Sequence, residues 1–226
     1  MNKKELYNKI LQLDGLTNEE KSELLGLLRK QKKYGLVWED KPEDVEERLR
    51  NELPVLVEDT SKAIISTDAD APNHILIEGD NLEALTTLAY THEGKIDVIY
   101  IDPPYNTGAD EFKYNDKFVD DEDQFRHSKW LSFINKRLNI AYQLLTDDGL
   151  LFISIDDNEI AQLKCLCDSI FNHSAKSSTS NCLGVLVWDL GTGTQAGHFV
   201  RAHEYVLAYT KNKNLLPNFS GGEGII

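Results

Sequence analysis

The sequence lacks an excess of basic charge: 24 Lys and Arg stand against 38 Asp and Glu, for a formal net charge of −14. A protein that coats nucleic acid through phosphate contacts is basic, so that class is excluded, while a local DNA site is not. Cysteine is scarce too. Cys165, Cys167 and Cys182 are the only three, a sparse and odd number that points to a reducing cytoplasm rather than a disulfide framework. Cys165 and Cys167 lie two apart on a helical pattern, where side chains do not face each other, so buried structural thiols are expected and no metal site is assigned. No uncharged apolar run approaches the roughly 18 residues of a membrane span. The amino end, Met1-Asn2-Lys3-Lys4-Glu5, leads into an amphipathic pattern rather than the apolar stretch of a signal peptide. The chain is therefore expected to be soluble and cytoplasmic, with no membrane partner. Internal repeats and low-complexity tracts are also missing.

What is present is material for a core. Hydrophobic residues make up 41% and aromatics 9% of 226 residues, which excludes wholesale disorder and allows one or two domains of about 100–200 residues each. Leu6, Ile10 and Leu13 mark a first helical stripe. Thr17 with Glu20 forms a capping-box pattern ahead of a second helix with Leu24, Leu25, Leu27 and Leu28 on its apolar face. From there to Pro72 the chain is charge-rich and weakly periodic, so residues 1–72 are taken as a small helical region plus connector.

From Asn73 onward short β-type runs alternate with helical stretches, the pattern of βα units and a mainly parallel sheet. Strands are expected at Ile75–Ile77, Ile96–Ile101, Leu150–Ile155, Leu183–Trp188 and Tyr205–Tyr209, the third of them buried on both faces because it is almost continuously apolar. Helices are expected at Leu82–Ala89, at Phe125–Leu145 with Asp147-Asp148-Gly149 ending it, and at Ile160–Ile170. Sites in open α/β sheets lie beyond the carboxyl ends of strands. That rule directs attention to Glu78–Asn81, Asp102–Tyr105 and Asp156–Glu159.

Asp102-Pro103-Pro104-Tyr105 carries the clearest chemistry. Two consecutive prolines fix their φ angles and remove two donors, leaving a stiff turn that presents carbonyl oxygens. The acid before them adds an acceptor and the tyrosine after them a flat aromatic face. Acceptors beside a stacking platform suit an exocyclic amino group on a nucleobase flipped from its duplex. The same residues also suit a plain rigid turn. Asp156 and Asp157, at another strand end, are read as helix capping and first-turn charge, with no catalytic role.

These residues resemble a known family. Asp102–Tyr105 looks like the catalytic motif of amino-methylating DNA methyltransferases, and its continuation Asn106-Thr107-Gly108 resembles the modification subunits of type III restriction-modification systems and related adenine methyltransferases. The resemblance extends to Tyr34–Asp44, Ile75–Leu85, Lys95–Gly108, Gly149–Glu159 and His203–Asn212. It implies a Rossmann-like, S-adenosylmethionine-dependent methyltransferase sheet preceded by the helical amino-terminal region, with residues 73–226 as a partial catalytic domain. It further implies methyl transfer from S-adenosylmethionine to adenine N6: Asp102 and the Pro103 carbonyl accept hydrogen bonds from the amino group, Pro104 stiffens the turn, Tyr105 stacks on the base, and Tyr105 with Asn106 contacts nucleic acid. Asp80 resembles the acidic position beside the cofactor adenine, shared with Asp102, and its plain reading is a helix cap. Double-stranded DNA, a second copy of the chain and a restriction subunit are the implied partners. Direct displacement at the sulfonium methyl needs alignment rather than a protein nucleophile.

The family's glycine turn for the cofactor is not found. Val187–Thr194, with Gly191 and Gly193, imitates it, yet only about six residues separate Gly197 from the next strand, too few for a parallel crossover of a dozen or more. A link between antiparallel strands is expected there instead. The chain is accordingly expected to be the amino-terminal part of a longer enzyme. Arg126, Lys129, Lys136 and Arg137 fall in an acid-free stretch, 124–143, that suits either a solvated helix face or a DNA backbone contact. Two other readings stay open: a non-catalytic remnant that binds DNA or a restriction subunit through the helical end and residues 176–213, and methylation of cytosine N4.

Overall fold

The computed structural model describes residues 9–13, 15–17, 20–21, 24, 36–64, 67–68, 70–108, 112–115, 117–119, 123–172, 180–196, 198–217 and 219. It divides into two compact units, residues 1–37 and 38–226. In the first, residues 9–12 are helical with Ile10 buried, while Leu13 and Leu24 are exposed. Thr17 and Glu20 cap reciprocally: the Glu20 backbone amide donates to Thr17 Oγ1 (3.2 Å), and the Thr17 amide donates to Glu20 Oε2 (2.8 Å). Leu6, Leu25, Leu27 and Leu28 lie outside the described residues.

The second unit begins at Trp38. Helix α1 (Asp44–Asn51) and a short 3-10 turn precede α2 (Asn81–His92), and strand β1 (Ile96–Ile101) follows. A small hairpin, β2 (Lys113–Tyr114) and β3 (Lys117–Phe118), lies in the connection that follows β1. Then come α3 (Arg126–Leu144), β4 (Leu145–Ile155), α4 (Ile160–Phe171), β5 (Cys182–Ala196) and β6 (Phe199–Thr210). Four strands form one sheet in the order β1-β4-β6-β5.

Only β1 and β4 run parallel, while β4 with β6 and β6 with β5 are antiparallel, so the expected mainly parallel sheet is corrected. The cause is connectivity: β5 and β6 are joined by a tight turn, and only antiparallel neighbours can be joined that way. Ile75–Ile77 forms no strand. Leu76 is 95% exposed, and an apolar triplet without a neighbouring strand has no ladder to join. Helix α3 runs straight into β4, and Thr146–Gly149 form an irregularity inside that strand rather than a separate turn, since Ile96 pairs with Leu145 but Val98 with Leu150. Lys211 fastens this bulge, its amide donating to the Gly149 carbonyl (3.1 Å) and its Nζ to the Leu145 carbonyl (2.8 Å).

The core lies under one face of the sheet. Leu151, Ile153, Ile155, Leu207 and Tyr209 are fully buried, as are Trp130, Leu138, Leu163 and Leu166 of α3 and α4. Tyr209 tilts against Phe171, 5.3 Å between ring centroids, and donates to Asp168 (2.9 Å) on α4. Phe152, the outward alternate of β4, is only half-buried, which corrects the expectation of burial on both faces. Cys167 is buried in this core and Cys165 is exposed, so the reading of both as buried thiols holds for one alone.

Three of the four basic residues of the acid-free stretch are engaged by acids rather than solvated. Arg137 is 5% exposed and grips Glu43 with two bonds (2.7 and 3.0 Å) while its Nε donates to Asn81 Oδ1 (2.5 Å). Lys136 pairs with Glu46, and Lys129 with Asp123. The charge-rich segment 38–52 thus supplies the counterions of Lys136 and Arg137, and Asp123, just ahead of α3, supplies that of Lys129. Among the described residues no helix is long and apolar enough to cross a membrane.

Candidate active site

Beyond the carboxyl end of β1, Asp102, Pro104, Tyr105 and Asn106 are each held by a different element. Asp102 is exposed, and its Oδ1 accepts a hydrogen bond from Ser154 Oγ of β4 at 2.6 Å. Ser154 sits one residue after Ile153, the β4 partner of Ile101, so register alone brings it there. Pro103 is buried, and the Pro104 carbonyl accepts from the indole N–H of the fully buried Trp130 of α3 (2.7 Å). The Tyr105 hydroxyl donates to Glu204 Oε2 of β6 (3.2 Å). Asn106 has a positive φ of 61°, a conformation that an Asn tolerates better than most residues, and its Nδ2 donates to Glu159 Oε1 (2.6 Å).

The turn borders a cleft of about 520 Å³ on the sheet face opposite the helices. Tyr100, Phe152 and Trp188 give it aromatic walls, and Asp102, Ser154 and Glu204 give it polar groups. Burial pushes the Tyr105 phenol up to about 12, reinforced by the charges of Asp102 and Glu204. The phenol therefore stays neutral and keeps donating through the ordinary pH range. A concave, mostly apolar cleft with a few convergent acceptors fits a planar ring carrying an amino group.

Of the residues singled out in the sequence, Asp102 and Tyr105 border the cleft, whereas Pro103, Pro104, Asn106 and Asp80 do not. Asp80 caps α2, its Oδ1 accepting from the amides of Leu82 (2.8 Å) and Glu83 (3.1 Å). Asp156 accepts from the Asn158 amide (2.8 Å) in a turn ahead of α4, and Asp157 pairs with Arg201 (2.8 Å). The N-cap of α4 is Glu159 rather than either aspartate. Gly191 and Gly193 lie within β5, where the register against β6 shifts between Asp189 and Thr194. A Cβ on Gly193 would collide with the Val200 side chain, so this glycine makes room for the neighbouring strand and not for a ligand. Trp130, Ser154, Glu159 and Glu204 were missed as site residues. Ser154, Glu159 and Glu204 stood in segments that carried the family resemblance, and Glu159 closed one of the three strand-end segments, while Trp130 lay outside them on a helical stripe.

Comparison with known proteins places these observations. A family model described as DNA methylase matches residues 96–220, more than half of the chain. The Mod subunit of the type III restriction-modification enzyme EcoP15I of Escherichia coli is 42% identical over 166 residues, covering 63% of this chain and 25% of the relative. The EcoPI Mod subunit of Escherichia phage P1 is 38% identical over 197 residues, 74% of this chain and 29% of the relative. The type II methyltransferase M.KpnI of Klebsiella pneumoniae is 39% identical over 147 residues, 63% of this chain and 34% of the relative. The aligned part thus spans about a quarter to a third of these relatives. With the matched region running from β1 through β6 and including the turn and its cleft, the chain belongs to the DNA methylase family.

Proposed function

We propose that residues 73–226 contain the amino-group-binding part of a DNA adenine-N6 methyltransferase that uses S-adenosylmethionine, working in the cytoplasm as the modification part of a restriction-modification system. The observation that carries this reading is the anchored Asp102–Tyr105 turn bordering an aromatic cleft. Asp102 accepts a hydrogen bond from the adenine amino group, as does the Pro103 carbonyl, which draws the N–H hydrogens toward the protein and leaves the nitrogen lone pair directed at the methyl donor. Tyr105 supplies the stacking face for the extruded base. Ser154, by donating to Asp102, holds that carboxylate in place.

S-adenosylmethionine, when bound, supplies an activated methyl group for in-line transfer. The cleft fits such a cation in its aromatic walls and its two carboxylates, Asp102 and Glu204. Asp80 is the further candidate for the cofactor's adenine, through the carboxylate oxygen that does not cap α2. Double-stranded DNA is the proposed substrate; a restriction subunit is a proposed partner because the EcoP15I and EcoPI relatives are Mod subunits of restriction-modification enzymes, and a second copy of the chain is the partner that the family resemblance implies.

The test is methyl transfer to duplex DNA from labelled S-adenosylmethionine, followed by mass spectrometry of the digested nucleosides. N6-methyladenine is expected, with Asp102→Ala lowering the rate about 10²–10³-fold, the usual cost of removing a group aimed at developing charge. N4-methylcytosine as sole product overturns the adenine assignment. Calorimetry that finds no cofactor binding marks the incomplete enzyme that the missing glycine turn predicts, whereas cofactor binding without transfer to DNA overturns the enzymatic reading.

A further inference from the structure

Glu159 is the first residue of the cap that opens α4, yet its side chain caps nothing. It turns away from the helix into a site where its side chain is fully buried. There its Oε1 accepts two hydrogen bonds, from Asn106 Nδ2 and with His127 Nδ1, both at 2.6 Å, while its Oε2 is buried without a partner. A carboxyl sunk in protein with one oxygen unused is costly, and an apolar residue of similar size would fill the space more cheaply. Packing alone does not account for it.

What the carboxyl does hold is the residue after the stacking tyrosine. Asn106 is 1% exposed and stands at a φ of 61°, so the chain must reverse sharply there. A left-handed, non-glycine residue persists only where its surroundings fix it. The Asn106 amide is fixed from one side by Glu159, which His127 steadies from α3. We infer that Glu159, with His127 behind it, is a positioning residue: by holding Asn106 in the left-handed conformation it sets where Tyr105 stands against the cleft. Burial raises the Glu159 carboxyl above its ordinary range, against the pull of Asn106 and His127, as a group kept for geometry rather than for charge would show. The inference rests on the proposed role of the turn, but it concerns the turn's geometry and can be tested without any methyl transfer.

The test uses the 226-residue chain in solution NMR, without cofactor or DNA. The indole N–H of Trp130 donates to the Pro104 carbonyl, so its resonance reports the turn directly. In Glu159→Ala this resonance is expected to move and amide exchange at Asn106 and Thr107 to quicken about tenfold or more, as loss of a buried hydrogen bond implies. Glu159→Gln, which keeps an acceptor for Asn106, is expected to restore both signals. Asn106→Gly, which tolerates the same φ but lacks the amide, is expected to release the turn in the same way, with Glu159→Ala adding nothing in that background. This arm also decides the matter should Glu159→Ala fail to fold. A Trp130 signal and exchange rates unchanged in Asn106→Gly, a failure of Glu159→Gln to restore them, or an additive double variant overturns the inference. Cofactor binding without methyl transfer, or N4-methylcytosine as sole product, would instead overturn the proposed function and leave these outcomes standing.

Discussion

Tyr105 has two jobs that single substitutions separate. Its ring is the proposed stacking face and its hydroxyl is tied to Glu204. Tyr105→Ala is expected to weaken binding of a fluorescent adenine analogue in an oligonucleotide by about 1–3 kcal/mol, the usual worth of an aromatic–base stack. Tyr105→Phe keeps the ring and loses one hydrogen bond, about 0.5–1.5 kcal/mol, so equal losses in the two variants would sink the stacking role. The phenol also predicts a pH effect. Its folded pKa is raised from 10.0 to about 12, so the stability it contributes is fully present below pH 10.0 and is lost as pH rises toward about 12. Denaturant unfolding of Tyr105→Phe should therefore fall less steeply over that alkaline window, and an unaltered slope would show the phenol to titrate freely. At this scale Asp102 to Tyr105 were legible because four adjacent residues carry their own chemistry. Trp130, Ser154 and Glu204 were not, because they reach the turn from 26, 52 and 99 residues away, and only the folded sheet brings them there.

The elements were legible where a period or a stop signal was strong. Strand β1 and helix α4 match the expectation almost residue for residue, since an apolar run of strand length and a 3.6-residue stripe each leave one solution. Strand direction was not legible, because it depends on which strand pairs with which. Gly193 shows how this misleads: a glycine-rich run after an apolar strand looks like a nucleotide turn, yet here it lets β5 pass close to Val200. Gly193→Val is accordingly expected to cost about 1–3 kcal/mol by overpacking, read as a lower urea midpoint, with cofactor affinity unchanged once the variant is folded. Loss of affinity without loss of stability would restore the cofactor reading. The ion pairs of α3 make the second prediction at this scale. Arg137→Ala removes the guanidinium that engages both oxygens of Glu43 and leaves Lys136, at 3.9 Å, as its remaining cation, so a loss of about 3 kcal/mol, the low end for a broken buried pair, is expected. The double variant Arg137→Met with Glu43→Met should recover much of it.

For the whole molecule, the question is how a chain of net charge −14 meets a polyanion. The sequence offered the basic stretch of α3, but Lys129, Lys136 and Arg137 are already paired with Asp123, Glu46 and Glu43. Arg201 is likewise paired with Asp157, and the Lys211 ammonium is turned onto the Leu145 backbone carbonyl. A lysine that keeps its internal carboxylate releases no DNA counterion, and each phosphate contact that does form steepens the salt dependence by about 0.9 in the slope of log K against log salt on duplex DNA. Titrating the 226-residue chain onto labelled duplex between about 50 and 200 mM salt, a range over which strong phosphate binders lose roughly 10³–10⁵ in affinity, is therefore expected to give weak binding with a shallow slope. Lys129→Ala and Lys136→Ala should leave that slope where it is. A fall of about one unit in either variant would mean that the internal pairs open on DNA, and α3 would then be a phosphate-binding face after all. An unchanged slope assigns the affinity elsewhere: these relatives are three to four times longer than the stretch they share with this chain, and in such a division of labour this part contributes the base-holding chemistry while the phosphate contacts come from other surfaces.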